Sequence, residues 1–353
     1  MEPMEQDVKL KESGKIFRAG GMIFLSTAAL LLTWRLVLPY IMRLFPNLDA
    51  ATEDIVSTAI FDFLVQIVSL LIVPFLICRF YLKKSAKEVL YISNVRPVTP
   101  LICFFSFLLG ICAFIITIYV SFLWQYFLTL LGYDGSSSSP MPEKFHLWHL
   151  LLMLFLTAIL PAICEEFTNR GLLITAVRGS FSSKVTVILG GVVFGLFHQY
   201  ISQTVYTALM GMLLTYLVLN TRSLIPAAIV HFTNNAISVL NTFVAEYANL
   251  DFLTEILNFL LSVRALFVLV PAVVLGIAAA LIGAIKKNYA KYYTDNYAAF
   301  INTGERKYRD KIECAWNLGD VRYRPAPVDY TFYIGGAVLT VVYTIFTLVW
   351  GFF

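Results

Sequence analysis

Long apolar runs alternate with short polar segments along the 353-residue chain. A helix needs roughly 20 apolar residues to cross the hydrocarbon core of a bilayer, and several runs reach that length. The pattern predicts an all-α, polytopic transmembrane helical bundle of about eight or nine spans. The candidate spans are residues 17–44, 56–82, 98–131, 146–178, 185–201, 203–220, 224–247, 258–285 and 329–352.

Lysine and arginine are unevenly distributed between the polar connections. The connection after the second apolar run is strongly basic, whereas the connection before it is mainly acidic. The basic residues are Arg79, Lys83, Lys84, Lys87 and Arg96, and the acidic ones are Asp49, Glu53 and Asp54. Because cytoplasmic loops carry the excess of Lys and Arg, we expect a cytoplasmic N terminus and a cytoplasmic polar loop at 286–328. Arg35, near the other end of the first span, is expected to reach the outer surface.

The composition excludes several classes of protein. The chain is 59% hydrophobic and 14% charged, with a mean hydropathy of +0.77, whereas soluble proteins are about 45–50% apolar and about 25% charged. A soluble enzyme, a disordered protein and a secreted disulfide scaffold are therefore excluded. The net charge of +4 is too small to indicate a nucleic-acid partner, so the lipid bilayer is the expected environment.

Ionisable side chains inside the apolar spans concentrate in the middle of the chain. With their neighbours they form three clusters: Glu165, Glu166 and Arg170; Phe194 and His198; and His231 and Asn235. An ionisable residue inside a bilayer costs several kcal/mol, so each cluster is a functional hypothesis. We therefore expect N-terminal transmembrane spans at 1–144, a catalytic core at 145–247 and C-terminal spans at 248–353.

Helical spacing places each cluster on one face of its helix. Glu166 and Arg170 are four residues apart and are predicted to form an ion pair, which leaves Glu165 as the less neutralised carboxylate. At 1.5 Å per residue, Glu165 lies ~20 Å from the cytoplasmic end of its helix, and His198 and His231 lie ~21 Å and ~13 Å from theirs. The clusters can therefore meet in one intramembrane site, which we expect to open toward the cytoplasm.

The residue types in these clusters suit water activation. Two imidazoles and a carboxylate are ligands that zinc prefers, so Glu165, His198 and His231 are candidate ligands of a divalent metal, Zn²⁺ before others. Glu165 could equally act as a base without a metal. The amide of Asn235 could donate a hydrogen bond to an oxyanion. The clusters therefore predict hydrolysis of an acyl bond within the membrane.

The three blocks, in this order, resemble the CAAX protease and bacteriocin-processing (CPBP) family of intramembrane endopeptidases, which includes the type II CAAX prenyl endopeptidases. The family pattern is Glu-Glu-x-x-x-Arg, then Phe-x-x-x-His, then His-x-x-x-Asn or Asp. It is matched by Glu165, Glu166 and Arg170, by Phe194 and His198, and by His231 and Asn235. The resemblance implies a CAAX-type hydrolase, with or without a metal, in which Glu165 activates water. It also implies that Glu166 and Arg170 support Glu165, that the histidines bind a metal or polarise water and carbonyl, and that Asn235 holds the oxyanion.

The resemblance implies a hydrophobic or lipidated peptide or protein as the substrate. Bacterial relatives are associated with peptide processing and bacteriocin self-immunity, and we expect a bacterial plasma-membrane protein whose substrate is not prenylated. Two other functions stay open. Intramembrane Glu, His and Arg also form proton relays in coupled transporters, and a non-catalytic immunity or scaffold protein could keep the fold and bind a peptide.

Overall fold

The computed structural model describes residues 3–133, 147–248, 251–303 and 323–350. Within these residues the chain forms helices and no β-strand, and seven helices are long and apolar enough to cross a membrane. The predicted all-α polytopic bundle is therefore confirmed. The chain is a multi-pass membrane protein.

The helices follow the predicted spans in order. The first part contains α1 (Pro3–Met42), α2 (Ala50–Phe63, Leu64–Ile72 and Val73–Phe80 in one continuous rod), α3 (Ala86–Ile92) and α4 (Pro100–Leu130). The middle part contains α5 (Leu147–Val177), α6 (Ser183–Phe197), α7 (Ile201–Thr221) and α8 (Ile225–Ala248). The last part contains α9 (Phe252–Ser262), α10 (Arg264–Thr303) and α11 (Thr331–Trp350).

Two helices that carry candidate site residues are not among the seven apolar spans. α6 has 15 residues, which cover only about 22 Å at 1.5 Å per residue, less than a full bilayer crossing. It turns back at His198–Tyr200 into α7, so these two helices form a hairpin. α8 has 24 residues and is long enough to span, but it carries a histidine and several asparagines.

The polar segment predicted as a loop at 286–328 begins as helix. α10 continues past Lys286 to Thr303, because no glycine or proline interrupts residues 284–303 and both residue types are the strongest helix breakers. Residues 304–322 lie outside the described part of the chain. Asp329 then fixes the start of α11 against α1: it accepts hydrogen bonds from Arg18 Nε at 2.6 Å and from the Tyr323 hydroxyl at 2.7 Å.

The connection between α3 and α4 joins the ends of α5, α7 and α8. Asn94 Nδ2 donates to Thr175 Oγ1 at 3.0 Å, and the Asn94 carbonyl accepts from the Leu224 amide at 3.0 Å. Ser223 Oγ donates to the Arg96 carbonyl at 2.7 Å. Asn94 and Ser223 are fully buried. These hydrogen bonds hold the ends of α5, α7 and α8 together.

α2 and α5 contain π-helical stretches at Leu64–Ile72, Leu154–Ile159 and Phe167–Leu173. Such stretches disturb the usual backbone ladder and are common at functional sites. Side chains from other helices bond to the carbonyls within them: Thr168 Oγ1 donates to the Leu70 carbonyl, and Asn235 Nδ2 donates to the Thr157 carbonyl. These two hydrogen bonds link α5 to α2 and α8 to α5.

Candidate active site

A buried ion-pair network joins α5 to α8. Arg170 Nη1 donates to Glu166 Oε1 at 2.8 Å, so the ion pair predicted from their spacing is present. His231 Nδ1 donates to the same oxygen at 2.9 Å, and Arg170 Nη2 donates to the Gly211 carbonyl at 3.3 Å. The side chains of Arg170 and Glu166 are 0% and 1% exposed. Glu166 therefore neutralises the arginine and orients one imidazole.

The ring of Phe194 contacts the Arg170 guanidinium and both imidazole rings. The Arg170 guanidinium lies 4.1 Å from the centre of its ring. The rings of His198 and His231 meet it edge-on, at centroid distances of 4.9 Å and 5.7 Å. The sequence grouped Phe194 with His198 alone, whereas the structure places it in contact with both histidines and the arginine. Phe194 therefore sets the spacing of the two imidazoles.

Glu165 presents the carboxylate that the ion pair leaves free. Its Oε1 accepts a hydrogen bond from Gln66 Nε2 of α2 at 2.7 Å. Its Oε2 is buried and has no hydrogen-bond partner among the described residues. A carboxylate oxygen in this position is able to accept a proton from a water molecule.

His198 has a fixed tautomer at the end of α6. Its Nδ1 lies 2.8 Å from the Phe194 carbonyl oxygen. A carbonyl oxygen only accepts, so Nδ1 carries the hydrogen and Nε2 of the neutral ring is an acceptor. The ring lines the same cavity as Glu165. His198 can therefore accept a hydrogen bond from a bound water.

Asn235 is held as a hydrogen-bond donor. Its Nδ2 donates to the Thr157 carbonyl at 2.9 Å, and its Oδ1 accepts from Asn234 Nδ2 at 2.9 Å. An amide nitrogen carries two hydrogens, so one N–H remains for a ligand. Asn234, to which the sequence assigned no chemistry, thus fixes which way the Asn235 amide points.

A cavity of about 550 Å³ brings the candidate groups together. Glu165, His198, His231 and Asn235 all line it, while Glu166 and Arg170 lie behind its wall. α2 adds two polar lining residues that the sequence analysis missed, Asp62 and Gln66. Their signal was present, because they are polar residues four apart inside the second apolar span.

The cavity does not extend in the expected direction. We call the helix ends beside Arg79, Arg96, Arg178, Lys184 and Arg222 the basic end of the bundle, and the opposite helix ends the far end. On α5 the lining residues run from Glu165 back to Leu156, and on α8 they run from His231 on to Val239. Both series lead to the far end, so the cavity extends away from the basic connections toward which we expected it to open. The sequence could not show the direction of the cavity, because the depth of a residue along its helix does not indicate which end of the bundle is filled by side chains.

The candidate metal ligands do not form a preassembled group. Among the described residues, no set of three or more His, Cys, Asp or Glu side chains is arranged to hold a metal ion. Nδ1 of each histidine is already bonded within the protein. The Zn²⁺ site at Glu165, His198 and His231 stays a prediction, and the mechanism proposed below contains no step through a metal.

Comparison with known families gives one match. Residues 147–237 match the family model described as type II CAAX prenyl endopeptidase Rce1-like. This part of the chain is similar to that family. The predicted resemblance to the CAAX protease family is thereby confirmed. No match was found among curated proteins or among solved structures.

The match runs from α5 to the middle of α8 and contains all the predicted site residues. It supports CAAX-type intramembrane protease activity in general, together with a membrane-associated substrate. Asp62 and Gln66 lie outside the matched residues, on α2. The cavity is therefore built from the matched helices and from two helices that precede them, α2 and α4.

Proposed function

We propose that the protein is an intramembrane endopeptidase that uses Glu165 and His198 to activate water. The observation that carries this proposal is the pairing of two free acceptors on one cavity wall, the unpartnered Oε2 of Glu165 and Nε2 of His198. A water between them has one hydrogen directed to each acceptor and a lone pair directed into the cavity. The substrate we infer is a hydrophobic or lipidated peptide segment, since the cavity lies within the bilayer.

The proposed reaction balances with these groups alone. Glu165 takes a proton from the water as the oxygen attacks the scissile carbonyl carbon. The oxyanion that forms accepts a hydrogen bond from the remaining N–H of Asn235. Glu165 then gives the proton to the leaving nitrogen as the C–N bond breaks. A general base contributes about 10²–10⁴-fold, and one oxyanion donor contributes about 10²–10³-fold.

The test compares the wild type with Glu165→Gln in lipid nanodiscs. Glutamine has nearly the same size and can still bond to Gln66, but it cannot take a proton. Glu255→Gln is the matched control, because Glu255 is an exposed carboxylate on α9. Quenched peptides, some prenylated at a C-terminal CaaX box and some plain and hydrophobic, report cleavage. We expect cleavage by the wild type and the control and a loss of at least about 10²-fold in Glu165→Gln.

Two further arms separate the remaining alternatives. A strong chelator leaves cleavage unchanged if protein groups suffice, and abolishes it if a metal on Glu165, His198 and His231 is required. Equal cleavage by Glu165→Gln and the wild type would contradict the proposal. Proton uptake driven by a solute in vesicles, without any cleavage, would favour a transporter. Peptide binding without cleavage would favour an immunity or scaffold protein.

We further propose that the protein lies in a bacterial plasma membrane with a cytoplasmic N terminus. Lys and Arg of the short connections concentrate at the basic end of the bundle, and this asymmetry sets orientation in membrane proteins. The far end then faces the outside of the cell.

A further inference from the structure

The cavity is closed at the basic end by a buried apolar cluster. Leu214 and Leu217 of α7 and Ala227 and Val230 of α8 are fully buried there, just beyond the ion-pair network. A separate apolar cavity of about 580 Å³ touches Glu166 from this end, but neither Glu165 nor His198 lines it. No described cavity at the basic end therefore reaches the water-activating groups.

The tip of the α6–α7 hairpin lies below the far end of α4. Trp124 Nε1, six residues before the end of α4, donates to the Ile201 carbonyl at the hairpin tip at 2.8 Å. Arg35 donates to the side chains of Gln199 and Tyr200 at 2.8 Å and 2.7 Å. Arg35 thus secures the tip rather than merely reaching the surface. The space above the tip is the part of the cavity lined by α4, α5 and α8.

Asp62 adds a further carboxyl group to this cavity. It lies one turn before Gln66 on α2, on the far-end side of Glu165. Among the described residues its carboxylate has no hydrogen-bond or ion-pair partner, and the nearby Arg35 is engaged by the hairpin tip. An ionisable side chain at this depth is costly and normally pairs with an opposite charge. A cation that enters the cavity would give this carboxyl group a direct partner.

We propose that the cavity admits its peptide from the far, outward-facing end, and that Asp62 binds a lysine or arginine side chain of that peptide. The inference rests on the proposed protease function. It names as substrate class a hydrophobic peptide that is exposed on the outer side of the membrane and carries a positive charge close to the scissile bond. A cytosolic protein with a C-terminal prenyl group does not belong to this class.

Sidedness is tested by labelling rather than by cleavage. Ser238→Cys places a thiol on the cavity wall of α8, and Lys87→Cys places one at the exposed basic end. A membrane-impermeant maleimide is added to intact cells and to permeabilised cells, with the wild type measuring the background from native thiols. We expect Ser238→Cys to react in intact cells and Lys87→Cys only after permeabilisation. Labelling of Ser238→Cys only after permeabilisation, or under neither condition, would overturn the outward opening.

Charge selection is tested by binding, so it does not require the peptide to be cut. Fluorescent peptides that differ only by lysine or glutamine at successive positions are bound to the Glu165→Gln protein in nanodiscs. We expect the best lysine peptide to bind about tenfold or more tightly than its glutamine partner. Adding Asp62→Asn should bring that ratio close to one, and adding Asp62→Lys should favour a glutamate peptide. Adding Glu255→Gln should leave the ratio unchanged.

A preference for lysine that survives Asp62→Asn would overturn the assignment. Equal loss of binding for the lysine and glutamine peptides would also overturn it, since Asp62 would then shape the cavity rather than select charge. Failure of the proposed function looks different: peptides bind with the stated selectivity, but neither the wild type nor any variant cleaves them.

Discussion

Arg170→Met should leave the buried carboxylate of Glu166 without its charged partner. The substitution keeps a long apolar side chain but removes the guanidinium, which is fully buried and bonded to Glu166 Oε1 and to the Gly211 carbonyl. Glu166 then keeps only His231 Nδ1 as a donor. Breaking a buried pair by removing one partner costs about 3–5 kcal/mol. The equilibrium constant for unfolding should therefore rise by about 10²–10⁴-fold.

The double variant Glu166→Gln/Arg170→Met separates this cause from lost packing. The double variant removes both charges, so it should recover more than half of the stability that Arg170→Met loses. Cleavage should stay low, because His231 loses its charged partner. Unfolding is followed by heat and by denaturant in mixed micelles, with Arg264→Met as the matched control at an exposed arginine of α10. If the costs of the two single changes simply add in the double variant, the ion pair is not the reason for the loss.

Three smaller changes test other parts of the account. Gln66→Met removes the donor to Glu165 Oε1. A hydrogen bond to a charged group contributes about 1.5–3 kcal/mol to stability, so thermal unfolding should show a loss of that size. Cleavage should also slow, because Glu165 is no longer held in position, and an unchanged kcat would refute the role of α2. Gly211→Ala places a Cβ 2.8 Å from the Phe194 side chain and should cost about 1–3 kcal/mol of stability, measured by thermal unfolding. Ser85→Ala removes the cap of α3 and should cost about 1 kcal/mol of stability at neutral pH. The hydrogen bonds from Ser85 lower the pKa of Glu88 in the folded protein, so this stabilisation is present above the unfolded pKa of Glu88 and is lost as the pH falls through the lower folded pKa. A cost of Ser85→Ala that stays constant into acid would contradict this link.

The sequence predicted the apolar spans and the three polar clusters because both signals are local. A run of apolar residues needs no partner to be recognised, and the spacing of Glu166 and Arg170 places them on one helix face in any context. The ion pair and the Rce1-like resemblance were accordingly predicted correctly. The length of α10 was missed, because a membrane-span criterion ends where apolar residues end, whereas the helix continues in water.

The rest of the site depends on contacts between distant helices. Gln66 reaches Glu165 from 99 positions away in the sequence. The spacing of Asp62 and Gln66 marks one face of α2, but it does not indicate which helix that face contacts. The π-helical stretches shift side chains away from the ordinary helical register, so a 3.6-residue wheel misplaces them. The direction of the cavity follows from how far the α6–α7 hairpin extends, which residue spacing alone does not reveal.

The proposed function makes Glu165 the residue that activates water for hydrolysis of peptide bonds in membrane-embedded substrates. The most direct test expresses the wild type and Glu165→Gln at equal levels in cells that lack the native chain, and identifies new peptide termini in the membrane and surrounding medium by mass spectrometry. The account predicts termini within or beside hydrophobic segments that appear with the wild type and are absent with Glu165→Gln. The same set of termini with both proteins would contradict it.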